Sequence, residues 1–260
     1  MRIMTRLENC ASVIIPVYNE EDTIVDVVNR VLARPEVGEA IIVNDSSTDA
    51  SREKLSVFSG DPKVRLFEQP CNMGKGAALI RGFAEAKCRF VLVQDADFEY
   101  SPDEYPNILA PLADGRADVV YGSRFMGTPG MVRFFRHEMG NKFLTFWSNV
   151  FSDINLSDME TCYKAFRREV IQNLNLSSMR FGIEVELTAK VAAARMLRIW
   201  QTPISYRPRR YNEGKKITWK DGVAALWHIL KFNCLASKKE FYKRAWSEVL
   251  TSGGDGDGDK

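Results

Sequence analysis

Two carboxylates separated by one residue, Asp95-Ala96-Asp97, follow directly on the apolar run Phe90-Val93. Alternate side chains of an extended backbone project the same way, so the first and third residues of this triplet can share one hard divalent cation. A cation held there neutralises a diphosphate. Two solvated aspartates at a strand end are frequent in α/β proteins, so the triplet alone is weak. Its position at the end of the fourth strand, after three strand-helix units and before Phe98-Glu99-Tyr100-Ser101-Pro102, strengthens it.

Three more polar clusters end apolar runs. Pro16-Val17-Tyr18-Asn19-Glu20-Glu21 lacks the G-x-G-x-x-G of a dinucleotide turn. Pro16 stiffens the exit, Tyr18 offers a ring face and Glu20 an acceptor to a base or ribose; Asn19 can equally cap a helix. In Asn44-Asp45-Ser46-Ser47-Thr48-Asp49, Asp45 can accept a base N–H, while the hydroxyl and acidic residues suit capping of the next helix. Asn72-Met73-Gly74-Lys75-Gly76 fails the G-x-x-x-x-G-K-[ST] spacing, yet two glycines and Lys75 at a helix N-terminus suit an anionic ligand.

The elements that must position these clusters alternate between two periods. Ser12-Val17, Ala40-Val43, Val64-Phe67, Phe90-Val93 and Asp118-Tyr121 read as short strands buried on both faces. Between them, Asp22-Ala33, Asp49-Phe58, Lys75-Ala86 and Pro102-Ala113 read as helices. The alternation predicts a largely parallel α/β sheet with right-handed crossovers, whose ligands bind beyond the carboxyl ends of the strands. After Arg124 a glycine-rich loop, 126–133, precedes a helix over Phe134-Phe151. A strand-like Thr161-Phe166, a helix around Glu184-Met196 and a strand around Arg198-Tyr206 follow, then helices over Trp219-Phe232 and Lys238-Leu250.

Composition narrows the function classes. The apolar share of 45% fills a substantial core, and 36 basic against 34 acidic residues leave a net charge of +2, which gives no field for nucleic acid. Cys10, Cys71, Cys88, Cys162 and Cys234 show no C-x-x-C spacing, which predicts no disulfide framework or zinc site and fits a reducing cytoplasm. No window of 18 uninterrupted apolar residues occurs, and the N-terminus lacks signal-peptide features, so a cytoplasmic chain without a transmembrane helix is expected.

In this order PVYNEE, NDSSTDAS, CNMGKGAA, QDADFEY and YGSRF resemble the GT-A-type family 2 glycosyltransferases. Asp158-Met159-Glu160-Thr161-Cys162-Tyr163-Lys164-Ala165-Phe166 is similar to the D-x-T-S-G-F-R segment of dolichyl- and polyprenyl-phosphate sugar synthases. Pro203-Ile204-Ser205-Tyr206 with Arg209, Tyr211 and Glu213-Gly214-Lys215-Lys216 is similar to another of their segments. The resemblance covers nearly all of residues 10–235. It implies a GT-A-type, Rossmann-like sheet flanked by helices, with a glycosyltransferase domain over 10–236, a C-terminal helix over 237–251 and, from its Gly/Asp composition, a disordered tail over 252–260.

The resemblance also implies roles. Pro16, Tyr18, Glu20, Asp45, Lys75 and Asp95 would hold the nucleotide; Asp95 and Asp97, with Gln94 beside them, would hold Mg2+ or Mn2+; Arg124, Arg209 and Lys215 would meet the acceptor phosphate or the donor diphosphate. The implied reaction moves a hexose from a UDP- or GDP-linked sugar to a polyprenyl or dolichyl phosphate, with inversion. Such a phosphate is already an anionic nucleophile, so positioning and charge neutralisation suffice. A hydroxyl acceptor would need a base, for which Asp158 is the sequence candidate.

Four departures stand out: Asn44 for the first of two acids, Ser46 for glycine, Lys164 where Arg is common and Gly214 where Ser is common. A lipid acceptor also predicts peripheral membrane contact, through the aromatic and basic residues of Met131-Phe151 and Trp219-Phe232. The alternatives are a soluble family 2 enzyme acting on a saccharide or protein hydroxyl, and a non-catalytic nucleotide-sugar-binding protein.

Overall fold

The computed structural model describes residues 7–127, 135–208 and 219–252. Among them, β1 (Ala11–Val17), β2 (Val37–Asn44), β3 (Val64–Glu68), β4 (Phe90–Val93), β5 (Val119–Ser123), β6 (Lys164–Arg167) and β7 (Ile199–Pro203) form one sheet in the order β3-β2-β1-β4-β6-β5-β7. The helices are α1 (Ile24–Leu32), α2 (Ser51–Leu55), α3 (Lys75–Glu85), α4 (Tyr105–Ala113), α5 (Phe135–Ser152), α6 (Arg168–Asn173), α7 (Ile183–Ala193), α8 (Trp219–Leu230) and α9 (Trp246–Ser252). This is the GT-A-like, Rossmann-like single domain expected from the sequence.

The strand alternation divides the interior into two layers. Val13 and Ile15 of β1, Ile42 of β2 and Leu92 of β4 face α1 and α4, meeting Val28, Val31, Ile108 and Leu109. Ile14, Ile41, Val43, Val91 and Val93 face the other way, toward Leu79 and Phe83 of α3 and Leu187 and Val191 of α7. Each such fully buried aliphatic side chain contributes about 1.5–3 kcal/mol. Helix α3 lies close on β1 because Gly82 faces Ile14: a Cβ there would stand 2.2 Å from Ile14 Cγ2.

The placement of β6 decides where the site forms. β1, β2, β3 and β4 run parallel, and β5 runs parallel to β7. β6 is antiparallel to both neighbours, pairing Leu92 with Ala165 on one side and Val120 with Ala165 on the other. An antiparallel strand begins where its neighbours end. Residues 158–163, leading into β6, therefore lie beside the carboxyl ends of β4 and β5.

The C-terminal part departs from expectation. Lys238-Leu250 does not form one helix: a 3-10 turn covers Lys238–Glu240, and α9 begins at Trp246. Burial of Phe241 and a bridge between Leu174 and Tyr242 hold the intervening chain away from helix. Helix α5 buries Thr145, Ser148 and Ser152 and exposes Phe135, Phe143 and Phe146. The expected tail, but for Ser252, lies outside the described residues.

Candidate active site

The site begins where β1 and β2 end. Tyr18 and Glu20 follow Pro16 on a turn in which Asn19 has φ 52°. The Asn19 Oδ1 accepts from the Thr48 amide at 2.8 Å, and the Glu20 amide donates to Ser51 Oγ at 2.8 Å, locking the two strand exits together. Ser46 stands at φ 58°, a left-handed conformation that glycine adopts more readily than serine. Asn44 donates to both oxygens of Glu68 at 3.1 and 3.0 Å. An acid at position 44 would instead repel Glu68, so the amide is the matching residue.

Asp45 is almost fully buried, and its carboxylate accepts from the amides of Met73 and Gly74 at 2.8 and 2.7 Å. It therefore shapes the loop that starts α3. Gly74 has φ 97°, and Gly76 lies so near the chain at 178–180 that a Cβ would come within 2.0 Å of the Ser178 carbonyl oxygen. That neighbouring segment is fixed by Glu186 of α7, which accepts from the amides of Ser177 and Ser178 and from Lys190.

Lys75 reaches from the first turn of α3 to Asp95 Oδ1 at 2.7 Å and Cys162 Sγ at 2.9 Å. Burial disfavours its charge, but Asp95, Cys162 and Glu184 outweigh this and hold Lys75 well above the ordinary lysine range. Asp97 Oδ1 accepts from the Glu99 amide at 2.9 Å, and Thr23 Oγ1 donates to the Ala96 carbonyl at 2.8 Å. The triplet thus sits on a bend tied to the β1 exit. Gln94 turns inward: its Oε1 accepts from Tyr105 and Tyr163 at 2.9 and 2.6 Å, so it braces the bend from below.

Asp95 and Asp97 are hard oxygen donors of the kind Mg2+ and Mn2+ take. No cluster of three or more His, Cys, Asp or Glu suited to a metal occurs among the described residues. A cation at the triplet would complete its shell with diphosphate and water oxygens, as is usual for Mg2+ at phosphates.

The β5 exit supplies the opposite wall. Arg124 Nε and Nη2 each lie 2.7 Å from Asp158, on Oδ2 and Oδ1 respectively. The guanidinium also stands 5.1 Å from the Tyr206 ring centroid. Burial opposes the charge on Arg124, and Asp158 more than restores it. Lys164 of β6, fully buried, bonds Glu184 and the Thr161 carbonyl. Tyr100 stacks on Tyr163 at 4.7 Å between ring centroids, and its hydroxyl accepts from the Cys162 amide. An open cavity of about 680 Å3 adjoins this wall, lined by Arg30, Phe98, Glu99, Ser101, Tyr206 and Arg207 among others.

Of the residues singled out in the sequence, the fold brings Tyr18, Glu20, Asp45, Lys75, Asp95, Asp97, Arg124 and Asp158 to one edge of the sheet. Arg209 and Lys215 lie outside the described residues. Glu160 and Glu184 were not singled out. Glu160 carries a buried Oε1 with no hydrogen-bond partner. Burial first, then the charge of Glu184, pushes its carboxyl up to about 7 against the pull of Lys164 and Arg124. Its two-residue spacing from Asp158 was the available signal.

A family model, Glycosyl transferase family 2, matches residues 12–174. The chain is 31% identical over 229 residues to the low-salt glycan biosynthesis hexosyltransferase Agl6 of Haloferax volcanii, covering 85% of this chain and 52% of that protein. It is 26% identical over 209 residues to the dolichol-phosphate mannosyltransferase of Pyrococcus furiosus, covering 78% and 58%. It thus spans little more than half the length of these relatives. A solved structure of glucosyl-3-phosphoglycerate synthase from Mycobacterium tuberculosis, with Mn2+, UDP-glucose and phosphoglyceric acid, superposes with TM-score 0.71 at 21% identity, covering 90% of this chain and 85% of that one.

These comparisons correct the expectation of a dolichyl- or polyprenyl-phosphate sugar synthase. The fold is matched by an enzyme whose complex holds a small phosphorylated acid. The segment that suggested a lipid acceptor is occupied internally: Asp158 grips Arg124, Tyr163 bonds Gln94 and Lys164 bonds Glu184. These internal ties account for the segment without a lipid phosphate. The expected lipid-phosphate partner and peripheral membrane contact fall with it. Helices α5 and α8 pack on each other and on α7, and Trp147 sits among Phe143, Phe146 and Phe151. No helix among the described residues is long and apolar enough to cross a membrane.

Proposed function

The chain belongs to glycosyl transferase family 2, and we propose that it transfers a hexosyl group from a UDP-sugar to a hydroxyl of a small phosphorylated acid, with Mg2+ or Mn2+. The observation that carries this reading is the pairing of two walls at one sheet edge. Lys75 and Asp95 form one, and Arg124 with Asp158 forms the other. A diphosphate fits the first and an acceptor's phosphate or carboxylate the second. The arginines at positions 30 and 207 in the adjoining cavity favour an anionic acceptor. The fold relative's complexes, with UDP and Mn2+ or Mg2+, support the donor and the metal.

In this reading Tyr18 and Glu20 flank the nucleoside, and Asp45 keeps the Gly74 turn in shape beneath the phosphates. Asp95 and Asp97 would hold the metal, which would supply charge neutralisation for the diphosphate. Lys75 adds a second positive charge on the same side, held in place by Asp95. Arg124, its orientation fixed by Asp158, aims the acceptor so that its hydroxyl meets the anomeric carbon. All five cysteines are free thiols, which supports a reducing, cytoplasmic setting.

Incubation of the purified protein with Mn2+, UDP-hexoses and a panel of phosphorylated hydroxy acids tests the proposal by mass spectrometry. Formation of a hexosylated phosphoacid is expected. Turnover only with a polyprenyl phosphate in detergent, and none with the panel, overturns it.

A further inference from the structure

Transfer to a hydroxyl requires a proton acceptor, and most carboxylates at this edge are already committed. Asp158 is bound at both oxygens by Arg124 and is fully buried. Asp95 accepts from Lys75, Asp97 from the Glu99 amide, and Glu184 from Lys164. Glu99 accepts from the Tyr206 hydroxyl at 3.1 Å. Glu160 differs: its Oε1 is buried with no partner. A buried acceptor left unsatisfied is costly, and in a native protein it is met by water, an ion or a reacting group.

We propose that Glu160 is the catalytic base of this site, receiving the proton of the acceptor hydroxyl. The assignment rests on the hydroxyl acceptor argued above. As the acceptor oxygen bonds to the anomeric carbon, its O–H bond breaks and the proton passes to Glu160. The bond from that carbon to the diphosphate oxygen breaks, and its electron pair leaves with the diphosphate. Glu160 returns the proton to solvent after product departs.

The surroundings suit the task. Arg124 from the β5 exit, Lys164 from β6, Glu184 from α7 and Asp158 from its own segment all act on Glu160. The two anions and the burial keep the proton on the carboxyl to a higher pH than usual, and the two cations prevent it from becoming permanently neutral. A base that ionises near neutral pH combines availability with driving force.

The test uses the full chain with Mn2+, a UDP-hexose and the phosphoacid acceptor. Glu160→Gln is expected to lower kcat by ~10²–10⁴-fold, with KM for donor and acceptor within about threefold. The acidic limb of the wild-type kcat/KM profile, rising through about pH 7, is expected to vanish in this variant. Glu160→Asp should restore part of the rate with a displaced limb, which also guards against misfolding of the first variant. Retention of wild-type kcat, or of the same limb, in Glu160→Gln overturns the assignment while leaving the proposed reaction standing. Failure of the wild type to use any hydroxyl acceptor overturns both.

Discussion

Arg124 and Asp158 meet in a two-point fork, with Nε to Oδ2 and Nη2 to Oδ1 both at 2.7 Å, and the Arg124 amide adds a third bond to Oδ2 at 3.0 Å. The aspartate is fully buried and the arginine side chain is 9% exposed, so each charge depends on the other. Asp158 is thereby a positioning residue for Arg124.

Removing one partner of such a pair strands the other. Asp158→Ala is expected to lower stability by about 3–5 kcal/mol, measured by urea denaturation. A loss below about 1 kcal/mol would show that Arg124 finds another counter-charge.

Asp97→Ala is expected to remove the Mn2+-dependent part of UDP binding. The wild type, with UDP at a hundred times its Kd, should gain about 2.7 kcal/mol of stability, seen as a rise in Tm. If the variant kept the full Mn2+-dependent rise, Asp97 would not hold the metal.

Stability should also depend on Glu160 through pH. Its carboxyl is raised from 4.5 to about 7, so the unfolded chain releases this proton first. Stability is therefore lost as pH climbs from 4.5 to 7 and is level above that. Glu160→Gln escapes the loss. Its melting temperature relative to wild type should be higher at pH 8 than at pH 5, by the equivalent of at most about 3 kcal/mol. A difference independent of pH would contradict this.

Gly76→Ala should destabilise the fold by about 1–3 kcal/mol and weaken UDP binding, because the added methyl meets the Ser178 carbonyl at 2.0 Å. Gly60→Ala, with nothing within 4 Å, serves as the control. Equal melting temperatures for the two variants would refute the close approach.

Much of the scaffold was legible because burial on both faces writes itself into short apolar runs. Phe90-Val93 carries the same bounds in sequence and structure, and Lys75 opens its helix where the glycines place it. The β4 exit then follows from counting. What escaped depends on partners distant in the chain. A strand was readable near Ala165, but not that it slots antiparallel between β4 and β5. Glu184 looked like any acid in a helical first turn; only the fold brings Lys164 to it. The short α6, Arg168–Asn173, is too brief for periodicity to reveal. The acceptor was misjudged because Asp158, Tyr163 and Lys164 resemble a ligand motif while serving as internal ties.

The inserted β6 also has a consequence for how the chain is assembled. The first four strands to be synthesised already neighbour one another, in the order β3-β2-β1-β4, and can close the nucleotide half alone. β5 pairs with β6 and β7, not with β4. It must wait for residues 164–167, about 40 positions later, before it can join the sheet. During that interval β4 shows an unpaired edge of Phe90, Val91 and Leu92, a surface open to mispairing with another chain.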